Sequence, residues 1–319
     1  MSDSVPETEI GRWHAHGWNR DLSWRLIRGI IPRVPRILRP PIHALTTLVC
    51  FASMPRERRA ARRNLTRITG RSGLPSLFLA LRLFYNFSKF MVGYTDLAPF
   101  RPELVEAWAE GRPEAQRAIA ALIAEGKGLI VLTLHLGNWE IGLALLSRLG
   151  TPVNVVLRQG EGPGPARFAD EARAHPGVRI VAAGDSAWNG LDLLLALRRG
   201  EIVAIQGDRP FGDPTRRVAL FGAPVTLPAG PFALAQASGA SILLVCCPIR
   251  GHFRYRFHVG EPLRVAPGEE GLQTAMDEFA RGIERVVASY PTQWFNFYDV
   301  WKEGRPGVPA PADPSCPAR

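Results

Sequence analysis

Lysine is nearly missing from this 319-residue chain: of its 39 basic residues only Lys89, Lys127 and Lys302 are lysines, so arginine carries the positive charge. Cysteine is scarce as well. Cys50, Cys246, Cys247 and Cys316 show no spacing suited to a disulfide framework or a metal site, which excludes a stapled secreted scaffold and a zinc-bound fold and fits a reducing, cytoplasmic setting. Cys246 and Cys247 sit in the apolar run Ser241 to Pro248, where neighbouring side chains of a strand face opposite ways and simply pack. Long hydrophobic runs are missing near the basic N-terminal part. Ile42 to Met54 has 13 residues, and a membrane span needs roughly 20. The start, Met1 to Glu9, is acidic and polar, unlike a secretory signal. There is no internal repeat, and the 31 glycines and 28 prolines are scattered, which excludes collagen-like and low-complexity chains. A Gly-x-Ser-x-Gly elbow, a phosphate loop and a dinucleotide fingerprint are all lacking, so no covalent nucleophile or nucleotide cradle stands in a recognised setting.

What is present is enough apolar residue, 46%, for a sizeable core, and a net charge of +10 that is unevenly spread. Residues 20–71 hold 13 arginines against Asp21 and Glu57, a local net charge of +11 that accounts for the whole excess. There, apolar and arginine positions alternate at helical or turn spacing, as in Arg25-Leu-Ile-Arg28 and Arg36-Ile-Leu-Arg39, and Arg56 to Arg67 reads as a strongly basic helix. Such a face suits anionic membrane lipids or an acidic carrier protein. A solvated face is the bland alternative. Nucleic acid is disfavoured, because zinc-finger spacing, an RNP-type aromatic pattern and basic-zipper heptads are all lacking.

The expected organisation is a flexible N-terminus over 1–19, a basic membrane-associating helical segment over 20–71, an α/β core over 72–303 and a disordered tail over 304–319. The fold class expected for that core is α/β, a mostly parallel central sheet flanked by helices. Expected strands are Leu129–Leu134, Val153–Leu157, Val178–Ala182, Ile202–Gln206 and Ile242–Pro248, with Tyr255–Val259 antiparallel at an edge. Expected helices are Leu74–Tyr94, Pro113–Glu125, Trp139–Leu149, Ala187–Arg199, Pro231–Ala237 and Gly271–Ser289.

Ligands of open α/β sheets bind beyond the carboxyl ends of the strands. Three polar clusters stand there: His135, Arg158 and Gly207-Asp208-Arg209-Pro210. Gly137 and Asn138 suit a tight turn and an N-cap, and Glu140 in the first helical turn could reach back to the imidazole and fix its tautomer, or could instead cap the turn backbone. Arg158 is a strand-end cation aimed at the crevice, or a surface arginine. Arg209 is read as an ion pair with Asp208 in preference to a phosphate contact. The turn Leu227 to Gly230 opens a helix whose amides could meet an anion. A histidine base acting on a substrate hydroxyl needs neither a protein nucleophile nor a metal.

In this order, Arg63-Asn64-Leu65, His135-Leu-Gly-Asn-Trp-Glu140, Val156-Leu-Arg158, Gly207-Asp208-Arg209, Leu220 to Gly230 and Trp294 to Lys302 resemble the lipid A biosynthesis lauroyl/myristoyl acyltransferases and the related phosphatidylinositol mannoside acyltransferases. The resemblance implies transfer of a fatty acyl chain from a thioester of acyl carrier protein or coenzyme A, without a further cofactor, to a hydroxyl of a membrane lipid or glycolipid. It implies a peripheral or monotopic enzyme on the cytoplasmic face of the bacterial inner membrane. It carries His135 over as general base, with Glu140 or Asp208 as its carboxylate partner, and Arg158 as a residue that holds substrate charge or organises the site; Arg209, Asn138 and Gly230 are further candidate substrate contacts read from the residues themselves. The arginines and prolines of the first segment and the closing Trp294-Phe-Asn-Phe-Tyr-Asp-Val-Trp301 depart from the lipid A enzymes, which leaves a glycolipid or a specialised lipid or pigment open as acceptor. A catalytically silent lipid-binding relative is the alternative from another class. An acyl groove is expected beside the Phe84–Met91 helix or the Trp294–Trp301 segment.

Overall fold

Charge-free apolar runs can bury both faces of a strand, and Leu129–Thr133 and Ser241–Cys246 in the middle of the sheet are built in this way. In the computed structural model, which describes residues 33–35, 38–96, 109–158, 177–183, 187–210, 214–251 and 254–302, the six-stranded sheet comprises β2 (Leu129–Thr133), β3 (Val153–Arg158), β4 (Val178–Ala183), β5 (Ile202–Gln206), β8 (Ser241–Cys246) and β11 (His258–Val259). Its spatial order is β11-β8-β2-β5-β3-β4, parallel throughout except for β11. The chain steps from β2 over an empty lane to β3 and β4. It then returns to fill that lane with β5 and crosses β2 to lay down β8.

Alternation along each strand feeds two cores. Leu129, Val131, Val153, Val155 and Val245 face one side. Ile130, Leu132, Val203, Leu244 and Cys246 face the other. Cys246 and Cys247 fall in opposite cores, as strand alternation requires. The first side is covered by α1 (Arg39–Ser53), α2 (Pro55–Thr69), α3 (Gly73–Asp96), α4 (Arg112–Ala124) and α5 (Trp139–Leu146). The second is covered by α6 (Ala187–Arg198), α7 (Gly230–Ser238), α8 (Gly268–Ser289) and the hairpin of β6 (Thr215–Leu220) and β7 (Ala223–Pro228). Among the described residues no helix is long and apolar enough to cross a membrane.

The α2 helix shows how the basic segment is used locally. Proline at its first position is pre-set for helix, and Gly70, at φ 69°, ends it by donating its N–H to the Thr66 carbonyl. Ala60, Ala61, Asn64 and Leu65 are buried, while Arg56, Arg59, Arg63 and Arg67 face outward.

Two expectations need correction. Tyr255–Val259 is not one edge strand: the chain changes partner at buried Phe257, whose N–H donates to the Glu110 carbonyl. Before it, β10 (Arg254–Arg256) pairs with β1 (Ala109–Glu110) and β9 (Ile249–Gly251); after it, β11 pairs antiparallel with β8. The β6–β7 hairpin was not anticipated, although Val218, Leu220, Val225 and Leu227 alternate inward along it. The expected N-terminus over 1–19, the basic residues up to 32 and the tail over 304–319 lie outside the described residues.

Candidate active site

Because β5 fills the lane beside β2, the residues just beyond these two strands become neighbours although 73 positions separate them. The His135 ring Nδ1 lies 2.7 Å from Asp208 Oδ1, and the His135 backbone N–H donates to Asp208 Oδ2 at 3.0 Å. The Trp294 indole N–H donates to the same Oδ2 at 2.8 Å. The Asp208 side chain is entirely buried and that of His135 is 8% exposed.

The protonation states follow from this packing. Burial alone would raise the Asp208 carboxyl, but the His135 ring and its hydrogen bond, the Arg209 guanidinium and the Trp294 N–H outweigh it and hold the group down to about 2. Burial, reinforced by the Arg209 charge, pulls His135 below its usual 6.5 against the opposing influence of Asp208. At neutral pH the pair is therefore a carboxylate and a neutral imidazole. An ionised carboxylate only accepts, so Nδ1 carries the ring proton and Nε2 keeps a lone pair.

The turn that presents His135 is clamped. Gly137 has φ 67°, and a Cβ there would lie 2.2 Å from the Cys247 carbonyl oxygen, so only glycine fits. Its N–H donates to the Gln293 carbonyl, the Asn138 N–H to the Cys247 carbonyl and the Phe295 N–H to the His135 carbonyl. Asn138 is the N-cap of α5, accepting the Glu140 N–H on its side-chain oxygen at 3.2 Å; it is buried in this structural task. Trp139 then lays its ring 5.5 Å from that of His135.

Of the two carboxylates expected to compete for the imidazole, Asp208 is the one bonded to it. Glu140 is buried in the first turn of α5 and makes no bond with His135. The expected ion pair between Arg209 and Asp208 does not form. Arg209 instead donates from Nε to Asn296 Oδ1 and from Nη2 to the Phe295 carbonyl, both at 2.9 Å. Arg158 ends β3 beside Ala183, and its side chain lies outside the described residues. Gly230 begins α7, but Pro231 has no N–H and those of Phe232 and Ala233 are bonded to the Ala229 carbonyl, which leaves little for an anion.

The aromatic side chains of the two segments expected to line an acyl groove pack largely on each other. Phe84, Phe87 and Phe90 pack edge-on or tilted against Phe295 and Phe297 at 5.0–5.8 Å between ring centres, and Trp294 to Tyr298 are buried. Free space lies instead between α5 and the sheet, in an apolar cavity of about 60 Å³ walled by residues that include Val131, Ala204, Val155 and Leu143, with Trp139 shared between it and the His135 ring.

The Arg63-Asn64-Leu65 motif has a physical task here. Buried Asn64 donates to the carbonyls of Asn296 and Tyr298 and accepts from the Val300 N–H, fastening the segment that carries Trp294. A family model described as bacterial lipid A biosynthesis acyltransferase matches residues 18–303. The chain belongs to that family. Similar curated proteins are the phosphatidylinositol mannoside acyltransferases of two Mycobacterium tuberculosis strains, 28% identical over 185 residues, 57% of each chain. The enzyme of that name from Mycolicibacterium smegmatis is 26% identical over 180 residues, 55% of this chain and 57% of its own. The match thus spans little more than half the length of these relatives.

Sequence reasoning missed Trp294 as a partner of the Asp208 carboxylate. The signal was available: a buried indole N–H needs an acceptor, and Trp294 stands in a segment already singled out.

Proposed function

We propose that this chain transfers a fatty acyl group from an acyl thioester to a hydroxyl of a membrane glycolipid, with His135 as general base. The observation that carries this reading is the neutral imidazole held by buried Asp208, with Trp139 shared between its ring and an apolar cavity. Family membership and the mannoside acyltransferase relatives support it. Nε2 takes the proton of the acceptor hydroxyl as its oxygen attacks the thioester carbonyl. The tetrahedral intermediate collapses with cleavage of the C–S bond, and the imidazolium returns the proton to the departing thiolate. Ionised Asp208 stabilises the transient imidazolium. Neither cysteine beside the cavity is a rival nucleophile, since burial pushes both thiols up, out of reach of ionisation at neutral pH.

The donor would be acyl carrier protein or coenzyme A thioester, which places the reaction on the cytoplasmic face of the inner membrane. The test is transfer of radiolabelled palmitoyl from coenzyme A or acyl carrier protein to phosphatidylinositol mannoside in vesicles. A labelled, alkali-labile lipid ester is expected. Hydrolysis without any such ester from either donor would overturn the reading.

Peripheral attachment is part of the proposal. Leu45, Leu48 and Val49 on α1 and Leu74 and Phe78 on α3 are 45–69% exposed, and α1 and α3 pack on each other next to the arginine-bearing face of α2. Fully burying a Leu or Phe side chain gains roughly 1.5–3 kcal/mol, and arginines near an anionic surface add to this. The triple variant Leu45→Ser, Leu48→Ser, Phe78→Ser is therefore expected to lower partition onto phosphatidylglycerol-rich vesicles at least about tenfold in co-sedimentation. Undiminished binding would sink the assignment of this surface.

A further inference from the structure

Resting on the acyl-transfer reading, we propose that Gln206 is a catalytic residue whose side-chain amide donates a hydrogen bond to the acyl carbonyl oxygen and holds the negative charge that develops there. Thr133 and Gln206 face each other in register as the last residues of β2 and β5. Two residues beyond the ends of these strands stand His135 and Asp208. Strand alternation puts Gln206 on the same side as Ala204, and the Gly207 that follows turns to the other. The surroundings of Gly207 agree, because a Cβ there would meet Phe279 at 2.9 Å and Leu132 at 3.4 Å in the opposite core.

Thr133 and Gln206 consequently form the polar rim of the cavity, between its apolar interior of Val131 and Ala204 and the His135–Asp208 pair beyond. The step between same-face residues of a strand is about 6.6 Å, room for one carbonyl group between the rim and the base. An alkyl chain seated in the cavity has its carboxyl carbon at this level.

The Gln206 Nε2 atom is buried and no described residue of the chain accepts a hydrogen bond from it. Buried amide donors are almost always paired, and an orphan costs free energy that nothing else in the folded chain returns. A donor kept unpaired in an apolar chamber beside the base fits a task that begins when substrate arrives. On attack by the acceptor oxygen the carbonyl π pair moves onto the carbonyl oxygen, and the Gln206 N–H bond to it shortens without transferring its proton. When the C–S bond breaks the pair returns and the carbonyl re-forms. A preorganised donor aimed at such an oxyanion is commonly worth about 10²–10³-fold in kcat.

The experiment uses Gln206→Met, which keeps the length of the side chain and removes the donor. The expected result is kcat lowered about 10²–10³-fold with KM nearly unchanged. Tm should hold or rise, by up to roughly 2–4 °C if relief of the orphan is felt in full. A structural role for Gln206 would lower Tm instead. Activity within a few-fold of wild type overturns the proposal. A second measurement needs no turnover: isotope-edited infrared spectra of palmitoyl coenzyme A carrying ¹³C at the carbonyl, bound to His135→Ala. The carbonyl band should move to lower frequency on binding and move back in the double variant with Gln206→Met. Saturable binding with an unshifted band removes Gln206 from the site and leaves the acyl-transfer reading standing, whereas no saturable binding of the thioester overturns both.

Discussion

Replacing His135 by alanine is expected to lower kcat for acyl transfer by about 10²–10⁴-fold, the usual worth of general-base assistance. The acceptor hydroxyl has a pKa far above 7 and is a poor nucleophile until something takes its proton. In the proposed mechanism the imidazole Nε2, on the far side of the ring from Asp208, does so. The fold should survive, because the Asp208 carboxylate keeps two of its donors, the backbone N–H of residue 135 and the Trp294 indole. The pH profile of the wild type is a companion test. Since His135 is pulled below 6.5, kcat/KM should rise with pH to a plateau whose midpoint lies under the ordinary histidine value. Stability should follow the same direction. Both His135 and Asp208 have folded pKa values below their unfolded ones, so their contribution is complete above about 6.5 and is lost as pH falls, first through the histidine and last toward about 2 through the aspartate. An alanine variant with activity within a few-fold of wild type, at matched Tm and circular dichroism, would remove the base from the mechanism.

The strands were legible from the residues because each is a short apolar run closed by a polar or glycine residue: Leu129–Thr133, Val153–Arg158, Val178–Ala183 and Ile202–Gln206 begin where expected, and Ser241–Cys246 begins one residue before. Which strands are neighbours was not legible. Parallel strands joined by helices carry the same local pattern whatever their spatial order, so nothing around residue 135 announces that β5 enters the lane beside β2. That hidden order decides the partner of the histidine. Glu140 is five residues away in sequence and in the first turn of α5, yet Asp208, 73 residues distant, is the one in contact. The packing of the expected groove segments was hidden for a related reason. The aromatic residues of α3 and of the closing segment look equally suited to lining a groove or to stacking on each other, and only tertiary packing shows that they stack. Gln206 was read as the end of a strand, with no hint that its amide would be left unpaired.

Asp208→Asn should be the most damaging of the carboxylate changes, with a loss on the order of 10⁴-fold in kcat, the size that accompanies a wrongly protonated imidazole. The two oxygens of Asp208 are not equivalent. Oδ2 accepts two N–H groups, from the His135 backbone and the Trp294 indole, while Oδ1 faces ring Nδ1. An asparagine in this pocket keeps its one oxygen toward the two backbone and indole donors and is forced to turn its NH₂ toward the ring. That NH₂ donates to Nδ1, the ring proton moves to Nε2, and the nitrogen facing the substrate becomes a donor with no lone pair to accept the hydroxyl proton. The shape of the site is preserved and its function is inverted, so the loss should appear in kcat with Tm lowered only by the missing charge. Glu140→Gln, which alters a carboxylate not bonded to His135, should cost far less than Asp208→Asn. Imidazole ¹⁵N chemical shifts report the tautomer directly: Nδ1–H in the wild type and Nε2–H in Asp208→Asn. A variant that keeps the Nδ1–H tautomer, or that retains activity within a few-fold of wild type, would show that Asp208 does not orient the base.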